Sequence, residues 1–239
     1  MVLSRSVHGV LPIVMGSVLL ATSCGGGGDG KNAQARAARQ TAPPGRYTAA
    51  QLREALPTEL VGYRRVGEPE SGEYGSLRGI QNFNQLRNEI TYDKPQCREM
   101  TGAATASDTA LRTAPAAVVQ FVKGSDQSVS TTLMAVPDEV AERHVRVRTP
   151  EGCKRFRTRI GRRWSEHRVV EAGAGNVGTA SRILGVSTVS DNAAVNTWYA
   201  VLRGRGYLAT IAVYGPKVTR AEAEQLARQT YDHAERVLP

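Results

Sequence analysis

Aromatic residues make up only 5% of this 239-residue sequence, and cysteine occurs three times. The longest apolar run, Val10 to Ala21, is broken by Pro12 and Gly16. Those shortages exclude a multi-span membrane protein. Metalloprotease, nucleophile-elbow and phosphate-loop patterns are also missing, so no catalytic residues are expected. His144, His167 and His233 lack metal-ligand spacing, and neither a metal nor a cofactor is expected. What remains is 41% hydrophobic and 22% charged, which excludes disorder throughout and suits one well-packed domain.

The first residues have the layout of a secretory signal peptide. Arg5 precedes the apolar run, and the small residues Thr22 and Ser23 precede Cys24. As a helix the twelve-residue run reaches only about 18 Å, short of a ~30 Å hydrocarbon core. Small residues before a lone cysteine, followed by Gly25–Gly28, resemble a bacterial lipobox, with Ala21 where Leu is usual. The resemblance implies cleavage after residue 23 and lipidation of Cys24; the alternative is a secreted protein with a spare thiol. Two or more acyl chains, at roughly 0.8 kcal/mol per buried methylene, anchor stably where one does not. Residues 24–46 are rich in Gly, Ala, Gln, Arg and Pro and read as a flexible tether with a reach of about 25 Å. Residues 47–239 then form one domain on the extracytoplasmic face of the cell membrane.

With Cys24 lipidated, Cys97 and Cys153 remain, and an oxidising compartment predicts a bridge between them. Two separate buried thiols are the alternative. The net charge is +9, and between Arg143 and Arg168 ten cations face only Glu151 and Glu166. Lys154, Arg155, Arg157, Arg159, Arg162 and Arg163 form the centre of that cluster. It suits anionic lipid headgroups, phosphate-containing wall polymers or an acidic envelope protein. Nucleic acid, the default partner of a basic cytosolic chain, is set aside by the signal segment. The bland alternative is composition: 26 Arg against 5 Lys is how a GC-rich genome writes ordinary surface cations.

Thr48-Ala-Ala-Gln51 predicts a capped helix carrying Leu52 and Leu56 and ending at Pro57. Glu68, Glu70 and Glu73 read as a solvated loop. Ala117–Val122 and Ser128–Val136 flank a Gly-containing turn and predict a hairpin, and Pro137-Asp138-Glu139 opens a helix through Val145. Arg162–Ala172 and Ala180–Ser190 read as strands; Val195–Leu202 and Tyr207–Tyr214 form a hairpin around Arg203-Gly-Arg-Gly206. Thr219-Arg-Ala-Glu222 begins a last amphipathic helix, with Glu224–Arg228 pairing on its outer face. Hairpins joined by helices predict an α+β domain, a mostly antiparallel sheet with helices packed on one side. Gly173-Ala-Gly175-Asn-Val-Gly178 matches the dinucleotide fingerprint, with Asp191 beyond, but the β-branched sequence after it reads as a strand and the motif as a turn. The three histidines read as surface or boundary residues, and Trp164, Trp198 and Tyr199 as core aromatics.

Across residues 50–239 the order of features resembles the PknH-like extracellular sensor domain of Gram-positive receptor kinases. The resemblance rests on the Leu52-x3-Leu56-Pro57 helix, Pro95-Gln-Cys97, Val118-Val-Gln-Phe121, a helix leading to Cys153, and a final hairpin and helix. That family typically carries two disulfides, and this chain can form one. The resemblance implies a groove for an unidentified ligand and no catalysis. The expectation is a non-enzymatic lipoprotein with a binding or sensor-like domain for an anionic envelope component. An envelope hydrolase or transferase, or a structural partner of a membrane complex, are the alternatives.

Overall fold

Thr48 and Gln51 cap α1 (Ala49–Glu54) reciprocally: Thr48 Oγ1 accepts from the Gln51 amide at 3.3 Å, and Gln51 Oε1 accepts from the Thr48 amide at 2.9 Å. The computed structural model describes residues 46–101, 109–191 and 193–238. The expected signal segment, Cys24 and the tether up to residue 45 lie outside them. After α1 come β1 (Arg64–Glu73), α2 (Arg78–Glu89), β2 (Thr91–Tyr92), α3 (Thr109–Arg112), β3 (Pro115–Lys123), β4 (Gln127–Ala135) and α4 (Asp138–Val145). Then β5 (Arg155–Ile160), β6 (Arg163–Ala174), β7 (Ala180–Ser190), β8 (Ala193–Arg203) and β9 (Tyr207–Gly215) run as a meander, followed by α5 (Arg220–Val237).

All nine strands of the described residues join one antiparallel sheet in the order β1-β3-β4-β9-β8-β7-β6-β5-β2. Short turns make sequential strands neighbours, and the β3–β4 hairpin closes onto β9. The sheet dominates, so the α+β description fits only roughly.

Helices cover both faces, which corrects the one-sided expectation. Tyr207, Ala209 and Ile211 of β9 pack with Leu52 of α1 and Ala223 and Leu226 of α5. Leu208, one residue out of phase, packs on the opposite face with Ala141 and Val145 of α4. The reason is visible in β3, whose residues Pro115–Val119 are all buried; a strand covered twice loses the apolar-polar alternation of a half-exposed one.

The segment read as a solvated loop is a strand, whereas the glycine-rich motif is the turn its sequence predicts. Glu68, Glu70 and Glu73 lie on edge strand β1, where charge and Pro69 protect an open edge, and Glu68 and Glu70 ion-pair with Arg65 and Arg78. The glycine-rich motif is the β6–β7 turn, and Asp191 ion-pairs with Arg163 at 3.3 Å. On α5, Thr219 caps the Glu222 amide, but the Glu222 carboxylate accepts from Tyr63 Oη and Lys123 Nζ instead of closing the box. Glu224 pairs with Arg220 rather than with Arg228.

Candidate functional site

The expected bridge forms: Cys97 and Cys153 are disulfide-bonded across 56 residues and fully buried. It ties the 3-10 segment Pro95–Thr101 to the start of β5, beside Met100, Phe156, Leu184 and Val186.

Strands β5 and β6 display the basic cluster by strand parity. Phe156 and Thr158 point into the disulfide-side core, so Arg155, Arg157 and Arg159 lie on the other face, exposed. Cross-strand registers place Arg168, Glu166 and Trp164 directly opposite them. Arg159 lies 5.5 Å from the centroid of the Trp164 ring, which is 47% exposed; the expectation of a core residue is corrected there. A hairpin tip has no layer above it to bury a side chain. Arg162 sits in the β5–β6 turn, and Arg163 is neutralised by Asp191. Lys154 leaves the group and lines a cleft beside α4. Four arginines, Arg155, Arg157, Arg159 and Arg168, therefore share one exposed surface with Glu166 and an indole, and Asp93, whose carboxylate accepts from the Arg157 amide, lies beside them at the β2 end.

The opposite face of the arm carries His167, which with His144 proves buried rather than peripheral. Thr158 Oγ1 lies 2.7 Å from His167 Nε2 and Thr188 Oγ1 2.9 Å from Nδ1, while the ring stacks on Phe156 at 4.7 Å. Burial lowers the pKa of the imidazole, only partly offset by Asp93, and the two threonines hold the neutral ring. By distance this is a hydroxyl–imidazole pair, but at 8% exposure the histidine is a packed strut.

A separate trough of about 480 Å³ crosses the middle of the sheet, between Ile80 and Phe83 of α2 and Tyr199 of β8. Its floor is made of Ser128, Ser130, Thr132, Thr197 and Thr210, with no charge among the described lining residues, and Thr210 Oγ1 is buried with no hydrogen-bond partner among them. Groove and basic surface are two places, which sequence patterns could not distinguish. Among the described residues no three His, Cys, Asp or Glu side chains gather as a metal site, and no helix is long and apolar enough to cross a membrane.

The chain matches no protein-family model and no curated protein. Among solved structures, the fold is similar to that of the extracellular domain of PknH from Mycobacterium tuberculosis. The two superpose with a TM-score of 0.54 at 12% identity, over 80% of this chain and 97% of that one. An uncharacterised protein of Mycobacterium smegmatis, the Rv0999 ortholog, gives a TM-score of 0.44 at 13% identity, over 78% of this chain and 94% of that one. The PknH-like fold expected from scattered motifs is thus present: α1, the Cys97 turn, β3, α4 and the β8–β9 hairpin with α5 occupy the quoted segments.

Proposed function

We propose that this chain is a non-catalytic binding or sensor-like domain of the outer membrane face, lipid-anchored through Cys24, that engages an anionic envelope component through its β5–β6 surface. The observation that carries this reading is the exposed row Arg155, Arg157 and Arg159, flanked by Arg168 and Trp164, with Glu166 opposite Arg157. Each cation near an anionic surface contributes on the order of 1 kcal/mol, and an indole at the same edge suits the headgroup layer. Anionic lipid and phosphate-containing polymer share the chemistry that this row would recognise. The trough, uncharged among its described lining residues, does not suit an anion.

The test uses the Cys24→Ser chain, which has no acyl anchor, with phosphatidylglycerol-containing vesicles. Binding is expected to weaken steeply from low to high salt, and Arg155→Ala/Arg157→Ala/Arg159→Ala to reduce it about tenfold or more. Equal affinity at both salt concentrations would remove the electrostatic basis of the reading.

A further inference from the structure

Arg182 is the only buried arginine among the described residues, at 9% exposure. Strand parity on β7 sets it with Leu184 and Val186, on the face opposite to the Arg155–Arg159 row. Its Nη1 donates to the Val147 carbonyl at 3.1 Å, its Nε is buried with no acceptor, and no carboxylate among the described residues ion-pairs with it. A guanidinium has five N–H donors, and burying one without a counter-charge costs several kcal/mol. Burial lowers its pKa, in keeping with a charge that lacks compensation.

The surroundings say what would compensate it. The end of α4, residues 147–149, Lys154 and the β6–β7 hairpin enclose a cleft of about 1040 Å³ that Arg182 lines. Arg148 and Lys154 also line it, and neither is ion-paired among the described residues. The one acidic side chain among the described lining residues, Glu142, is already held by Arg146 and Arg203, each at 2.6 Å. Val145, Val147 and Val169 supply apolar wall. A tetrahedral oxyanion offers several acceptors to a planar fork of donors, and the valines suit a short hydrocarbon.

We propose that this cleft binds a phosphate-bearing amphiphile, the phosphate chelated by Arg182 and closed over by Arg148 and Lys154, with its apolar part against the valines. The site is independent of the β5–β6 surface.

Calorimetric titration of the Cys24→Ser chain with dihexanoyl phosphatidate, inorganic phosphate and dihexanoyl phosphatidylcholine tests it. Phosphatidate should bind at least tenfold more tightly than either of the others. Arg182→Met should weaken phosphatidate binding tenfold or more while leaving the ligand-free Tm equal or higher, because an uncompensated buried charge has been removed. The exposed pair Arg148→Ala/Lys154→Ala gives the same loss of binding in a chain whose core is untouched. Arg155→Ala/Arg157→Ala/Arg159→Ala should retain binding. Undiminished phosphatidate affinity in Arg182→Met, a fall in its ligand-free Tm, or no binding of phosphatidate by the parent chain each overturns the proposal. Inorganic phosphate binding as tightly as phosphatidate overturns its apolar half. Loss of binding confined to the arm variant returns the anion to the β5–β6 surface.

Discussion

A Cβ added to Gly204 would come within 2.0 Å of the Tyr207 ring, which is fully buried and donates its hydroxyl to Glu235 at 3.0 Å. The ring has nowhere to go. Gly204→Ala is therefore expected to destabilise by about 2–3 kcal/mol, read as a lowered midpoint in urea with unchanged slope. His167 has a consequence of the opposite kind, felt through solvent. Its folded-state pKa is depressed by burial, so the unfolded chain binds the extra proton. Stability is then complete above the ordinary imidazole range, about pH 6.5, and is lost as pH falls below it. His167→Gln should flatten that part of the Tm–pH curve, since glutamine takes up no proton; an unchanged slope would mean that the acid loss arises elsewhere. Cys97 and Cys153 were legible as a pair once the lipobox resemblance set Cys24 aside. The burial of Arg182 was not legible, since a strand residue beside Ser181 and Ile183 gives no local sign of what lies above it.

Elements with a local start signal were found where expected. The Thr48–Gln51 box opens α1, and the run from Arg203 to Gly206 turns β8 into β9. β1 and β5 were missed, because Arg64–Glu73 contains Pro, Gly and five charges on an edge, and Arg155–Ile160 has arginine at every other position. On β5 that alternation is itself a strand signal, written with charge in place of polarity. The disulfide acts at this scale: it holds the Pro95–Thr101 segment against the β5–β6–β7 core. The Cys97→Ala/Cys153→Ala double variant is expected to lose on the order of 4 kcal/mol, measured by urea titration. A loss below about 1 kcal/mol would mean that packing of Met100 and Phe156 alone keeps this segment in place.

At the level of the whole molecule, the nine strands of the described residues leave α1 and α5 on one face of the sheet and α4 with the disulfide segment on the other, so the free sheet surface depends on which strands extend past the helices. β5 and β6 do so. If Cys24 carries the acyl anchor of the proposed function, Cys24→Ser should move the protein from the membrane fraction to the soluble one without shifting the Tm of the folded part; continued membrane retention at high salt would argue against that anchor. Caps, turns and alternation operate within a few residues, so the sequence by itself determined the main hairpins, the first and last helices, the pairing of Cys97 with Cys153 and the concentration of positive charge. Burial and facing depend on what the remote chain places above each strand. Only the tertiary structure therefore decided that both sheet faces are covered, that groove and basic row are separate, that Trp164 is outside, and that Arg182 is buried at the lining of a cleft.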